Sequence, residues 1–529
     1  MKIFKRFSFL INIIIVLNSF IIISEANNLT ISNVSLADRN PSDKTLIAQF
    51  DIRWDHAWKT KINHDAVWLT FRLHSPSVTP TDKKLCQITD SGLNPIHSST
   101  GTATNIEIYV PEDQKGAFVR LNHYAVEPTV DSESVQVELD YDACGFTAND
   151  SVFLTVSALE MVYIPQGEFY AGDYMASTAA LHAGSSDDNP WYIADEESIS
   201  ISNPTSNGYR YASAGLPGED VTGTTFNIPG QFPKGYNGFY MMKYEITEGQ
   251  WVEFINSLPS SGARANHDLT DNNHKNTDTV VARNTISCSG TPLSCSTQRP
   301  QRALGYLSWM DLAAFLDWSA LRPMTELEFE KSARGPVLPK EGEFAWGATG
   351  IVSPGALTAG DENGSEESLT AEANANVGNV TLTGGDTPYG PDFVTGPLRS
   401  GIFASEATDR ESSGASYYGV MELSGNLRER IVTVGNAAGR SFAGSHGDGV
   451  LSTASGYEGN ADQSDWPGID AQINYGVTGA AGSGFRGGSF TDVLPGSPLT
   501  ISNREEAAKA DINAYNNSGG RGVRTYDGN

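Results

Sequence analysis

The stretch "MELSGNLRE", Met421 to Glu429, sets two carboxylates, Glu422 and Glu429, on either side of a Ser-Gly-Asn turn. Such a turn can aim side-chain and backbone oxygens at one point, which is what a hard cation such as Ca²⁺ requires. A hydrogen-bonded turn without metal is the competing reading. Further on, "FRGGSFTDVLPGS", Phe485 to Ser497, runs from an arginine into two glycines, a serine and an aromatic, a shaped turn that could present a reactive group. "SNREEAA" offers Arg504 and Glu505, which with Asp492 could do acid–base work in a cleft. The pattern is equally that of salt-bridged surface turns. His446, in the glycine loop "GSHGDG", reads as a surface histidine, because no elbow motif supports a Ser-His-Asp triad around it. No phosphate loop or dinucleotide fingerprint is present.

Sulfur is scarce. The chain of 529 residues has four cysteines, Cys86, Cys144, Cys288 and Cys295. Their spacing predicts two disulfides, Cys86–Cys144 and Cys288–Cys295. Zinc is the weaker reading, since no CxxC pair or nearby histidine cluster completes a site. The disulfides presuppose export, and the N-terminus fits it. Lys2, Lys5 and Arg6 precede an apolar run from Phe7 to Ile23 and then "SEA". That order predicts a signal peptide over 1–26, cleaved after Ala26, with an uncleaved anchor as the competing reading. No other stretch is apolar enough to span a bilayer. A net charge of -28 repels phosphate backbones and excludes nucleic acid as a partner.

The elements that must position these groups fall into two sets. Residues 27–157 alternate apolar and polar residues in short runs, among them "TLIAQFDIRW", "AVWLTFRL", "NIEIYV", "SVQVELDY" and "SVFLTVSALE". Period-two patterning between polar turns predicts an antiparallel β-sandwich. Residues 158–529 carry few helical signals. Thr247–Leu258, Ser308–Ala320 and Thr325–Arg334 each open on a capping residue ahead of apolar residues at helical spacing. Segments near 174–230, 260–300, 350–390 and 436–480 read as long surface loops around a compact frame. Arg322 and Arg334 frame the last helix and are expected to pair with carboxylates or carbonyls. Glu245 is expected to be the buried partner of one of them.

Seven blocks in this order resemble the formylglycine-generating enzyme family, the sulfatase-modifying-factor domain. They are "MVYIPQGEFYAGD", "FYMMKYEITEGQWVEFIN", "GYLSWMDLAAFLDWSALRPMTELEFEKSARG", "FAWG", "YYGVMELSGNLRER", "FRGGSF" and "GGRGVR". The resemblance spans Met161 to Arg524 and implies a variant of the C-type-lectin fold, α+β and loop-rich. It also implies a calcium ion held by the side chains of Glu422 and Glu429 and the carbonyls of Gly425 and Leu427. A second calcium would use Asn376, the Val377 carbonyl and Asp392, with Asp386 competing.

The family's oxidase activity depends on two cysteines after RGGS that bind copper and the substrate thiol. Aligned on that segment, this chain has Asp492 and Ser497 in their places. Oxygen ligands do not replace soft thiolates, so no copper is expected and catalysis of that kind is not carried over. The sequence therefore reads as a secreted or cell-surface binding or structural protein, calcium-stabilised, with an extracellular protein or glycan as partner, or self-association through the β-sandwich. The aromatic and Asn/Asp/Gly-rich stretch Ser455 to Gly476 is its candidate recognition loop. An enzyme of altered chemistry on the same fold is the alternative.

Overall fold

In the computed structural model, the described residues are 28–528 apart from 77–81, 90–91, 94–104, 175–178, 184–188, 202–207, 212–215, 221–224, 271–281, 356, 358–367, 369, 371, 379, 381–394, 406–407 and 494–497. The leader and the candidate residues Asp386, Asp392 and Ser497 lie outside them.

The alternating runs form strands. Thr45–Lys59, Asp65–His74, Ile106–Val110, Ala125–Asp140 and Phe153–Ile164 cover the five expected segments, and Thr30–Asn40 and Ala117–Leu121 join them. A four-stranded sheet holds Thr30–Asn40, Thr45–Lys59, Ala125–Asp140 and Gln87–Ile88 in that order. A nine-stranded sheet carries Asp65–His74 near its middle, paired on one side with Ala117–Leu121 and on the other with Phe153–Ile164. Asp65–His74 is buried on both faces, as a strand in the middle of a layered core must be. Its alternation separates two cores. Val67, Leu69, Phe71 and Leu73 pack with Phe50, Ile52, Val137 and Leu139 of the four-stranded sheet. Trp68, pointing the other way, joins the cluster containing Trp251, Trp309 and Phe315.

Phe153–Ile164 is shared by both parts of the chain. It pairs along Phe153–Val162 with Asp65–His74, and through Met161–Ile164 with the strand Phe239–Met242. A boundary between 157 and 158 therefore falls inside one strand. Contacts across it are polar as well as apolar. Trp68 Nε1 donates to the Ser319 carbonyl at 2.9 Å, and Arg72 donates to the Trp318 carbonyl and lies over the Trp318 ring.

All three expected helices are present. Glu248–Ser257, Trp309–Trp318 and Glu326–Arg334 start after Thr247, Ser308 and Thr325, and each start is closed by a reciprocal capping box, with Gln250, Asp311 and Glu328 as the third-position partners. The middle helix is buried on every side. The segments read as loops hold more structure than expected. Residues 174–230 contribute a small sheet of four short strands, and 260–300 contribute the helix Ser261–Asn266 and a hairpin closed by Cys288–Cys295. The other expected disulfide, Cys86–Cys144, is also formed.

Candidate functional site

The strand Arg428–Val432 lies between Ser483–Arg486, antiparallel, and Ser518–Gly519, parallel, so that Glu429 stands beside both Arg486 and Gly519. This register brings together motifs that are far apart in sequence. The turn before the strand is tight, with Glu422 at φ 57°, Gly425 at 96° and Asn426 at 61°. A side chain at Gly425 would meet the Asn376 carbonyl at 3.0 Å, and its N–H donates to the Gly487 carbonyl at 2.9 Å. The "SGN" and "RGG" turns thus lie backbone to backbone.

Asn426 is the hub of this meeting. Its N–H donates to the Asn376 carbonyl and its own carbonyl accepts from Phe490 N–H, both at 2.9 Å. Its Oδ1 accepts from Asn376 Nδ2 at 3.1 Å and from Leu398 N–H at 2.9 Å, and its Nδ2 donates to Glu245. Glu245 also accepts from Leu427 N–H at 3.0 Å. This corrects the partner expected for Glu245. Arg322 is instead bidentate with Glu328 at 2.9 and 2.6 Å, and Arg334 binds Glu343 and Glu330. Those two arginines do pair with carboxylates, as expected.

Three carboxylates, Glu245, Glu422 and Glu429, are buried around this turn. Arg521 donates from Nε and Nη2 to both oxygens of Glu429, at 2.6 and 2.8 Å. Glu422 accepts from Gly401 N–H through Oε1 at 2.6 Å, while its buried Oε2 has no hydrogen-bond partner among the described residues. Burial, and then Glu429 and Glu422 nearby, push the Glu245 carboxyl well above its usual range.

One member of the donor set expected for calcium is already paired with a cation of the chain. Both oxygens of Glu429 face a guanidinium, and an ion on the same carboxylate would place like charges side by side in a fully buried site, where solvent screens them little. At the second expected site, Asn376 directs Nδ2 to the Gly396 carbonyl and to Asn426, and neither candidate aspartate belongs to the described residues.

The acid–base candidates are not brought together either. Asp492 accepts from Ser489 N–H at 2.7 Å and Ser489 Oγ at 2.9 Å, closing its own turn. Arg504 is buried against Glu326 and Tyr211, and Glu505 is exposed. Arg486 of "FRGGSF" spans Glu326 and Glu330 at 3.1 and 2.7 Å, so this arginine too is architectural. Behind the turn a shallow notch is lined by Arg428, Phe485, Gly488, Asn503 and Glu506, and the Arg428–Glu506 pair at 2.6 Å crosses it. His446 is not a free surface group. Its Nε2 accepts from Thr525 N–H at 3.0 Å, and burial, with Arg524 and Arg322 beside it, holds its pKa well below the usual range.

Sequence reasoning missed one acidic group. Oxygens of Asp317, Asp448 and Asp462 lie within 4.8 Å of one another. Asp317, at the end of its helix, accepts the N–H groups of Asp448 and Asp462 at 2.9 and 3.0 Å and so ties down the 443–480 loops. Within those loops Trp466 is fully buried, Tyr457 and Tyr475 stack at 4.2 Å, and Ile473 is 58% exposed. The only signal for this anchor was an aspartate on the apolar face of a helix.

No helix among the described residues is long and apolar enough to cross a membrane. The sequence matches the sulfatase-modifying factor enzyme 1-like domain over residues 152–525. No curated protein matches the chain.

Proposed function

Because this chain belongs to the family of the sulfatase-modifying factor enzyme 1-like domain, we propose that it is a non-catalytic member, exported from the cell, whose loops bind an extracellular protein or glycan. The observation that carries this reading is the state of its sulfur. The chain has four cysteines and both pairs are closed as disulfides, leaving no free thiol to hold a soft metal or attack a substrate. Two disulfides also support an oxidising compartment and hence a working signal peptide at 1–26. The finer architecture belongs to the same reading: a β-sandwich as the N-terminal unit and a C-type-lectin-like form for the rest.

The alternative, altered chemistry on the same fold, has less support. Asp492 closes its own turn through Oδ2, Arg504 is paired with Glu326 and Tyr211, and neither borders the notch behind the turn. Recognition has more. Ile473 is exposed next to the stacked Tyr457–Tyr475 pair, on a loop held by its own backbone hydrogen bonds.

The test is to incubate the purified chain with copper and a cysteine-containing peptide and follow the thiol by mass. No loss of thiol is expected, and turnover above a protein-free control would sink the non-catalytic reading.

A further inference from the structure

Five oxygens from four residues converge on the Arg521 guanidinium. Both carboxylate oxygens of Glu429 accept from Nε and Nη2 at 2.6 and 2.8 Å. The carbonyls of Met242 and Lys243 accept from Nη1, each at 3.1 Å, and the Met421 carbonyl accepts from Nη2 at 2.8 Å. Arg521 and Glu429 are both fully buried. A shell of carboxylate and carbonyl oxygens closed from several chain segments is the ligand chemistry of a hard cation. Here it is filled by the planar fork of an arginine, whose N–H groups match a carboxylate bidentately.

We propose that Arg521 is a built-in replacement for a bound cation, cross-linking the strand Arg428–Val432 to the strand Phe239–Met242 and the turn at Met421, so that this site requires no calcium. A metal held by free ligands is lost when its concentration falls, whereas a covalently attached guanidinium is present in every folded molecule. The four residues it joins are brought together only in the folded chain, lying 92, 100, 278 and 279 positions from Arg521. Arg521 therefore acts as a fastening between distant segments, as a structural ion does. This inference is independent of whether the loops bind a ligand.

The full chain is dialysed against chelator, returned to calcium-containing or calcium-free buffer, and compared with Glu422→Gln and Arg521→Met by elemental analysis and thermal melting. Wild type and Glu422→Gln should hold equal amounts of calcium, and chelator should leave the wild-type melt unchanged. Arg521→Met should melt lower by roughly 5–10 °C and recover part of that loss when calcium is added, with one more calcium bound per chain. One calcium more in wild type than in Glu422→Gln would overturn the proposal. So would an Arg521→Met chain that folds but gains neither calcium nor calcium-dependent stability. If that variant does not fold, the calcium difference between wild type and Glu422→Gln decides alone.

Discussion

Glu326 and Arg504 form a fully buried ion pair, with Nε 2.5 Å from Oε2, and Arg486 reaches the same carboxylate at 3.1 Å. Glu326 also accepts from Val434 N–H at 2.7 Å and Thr433 Oγ1 at 2.9 Å. Burial alone would raise its pKa, but Arg504 and then Arg486 outweigh that and hold the carboxyl below its usual range. Glu326→Ala leaves the buried Arg504 guanidinium without its close carboxylate, while Arg486 keeps Glu330 at 2.7 Å, and should destabilise by about 3–5 kcal/mol. The sign with pH follows from the lowered pKa. The stabilisation is fully present above the unfolded value of about 4.5 and is lost as pH falls through the lower folded value. Denaturant titrations at pH 7 and pH 3 should show the difference between wild type and variant shrinking in acid. A difference independent of pH would contradict the pairing.

Asp492 occupies a position where the resembled oxidase places sulfur, yet its carboxylate closes the Ser489 turn. Asp492→Ala should therefore cost about 1–2 kcal/mol of stability through the lost hydrogen bonds. Thiol consumption in the copper assay should be the same as for wild type. A change in turnover without a change in stability would point to chemistry at this residue.

The two disulfides should differ in worth. Cys86–Cys144 spans 58 positions and Cys288–Cys295 spans 7. Loop-closure entropy puts their contributions at about 4 and about 2.5 kcal/mol. Replacing each pair by serines and comparing unfolding midpoints checks the order. Equal losses would mean that native packing, rather than the unfolded chain, sets the effect.

The 443–480 loops should divide sharply between frame and surface. Trp466 is 1% exposed and donates from Nε1 to the Ser445 carbonyl at 3.0 Å, so Trp466→Ala should cost about 3–5 kcal/mol. Ile473, largely exposed, should tolerate Ile473→Asp within about 0.5 kcal/mol. Capture of an extracellular protein or glycan by the folded Ile473→Asp variant should fall by about tenfold or more. Full capture by that variant would remove this edge from the recognition surface.

Much of the frame was legible in the sequence because its determinants are local. Thr247, Ser308 and Thr325 start their helices through bonds to residues three positions on, and the alternation of Val67, Leu69, Phe71 and Leu73 already states which face of the strand is buried with which. The cysteine pairs and the ordered blocks of the family were legible for the same reason: they are patterns of type and spacing along one chain.

Three features were decided only when the chain closed on itself. Glu245 was read as the partner of Arg322 or Arg334, but those arginines find carboxylates 6, 4 and 9 positions away, and Glu245 is left to Asn426 and Leu427, 181 and 182 positions on. His446 sits in a glycine-rich stretch that looks exposed, but it is half-buried, accepting from Thr525 N–H with the charges of Arg524 and Arg322 nearby. Glu429, a metal ligand by its motif, is claimed by Arg521 from 92 positions away. The sequence by itself determined where helices start, which strand faces are apolar and that no thiol would follow RGGS. Which charges neutralise one another was decided by the tertiary structure, because a buried carboxylate is paired by whichever cation the fold brings within hydrogen-bond reach, whatever their separation along the chain.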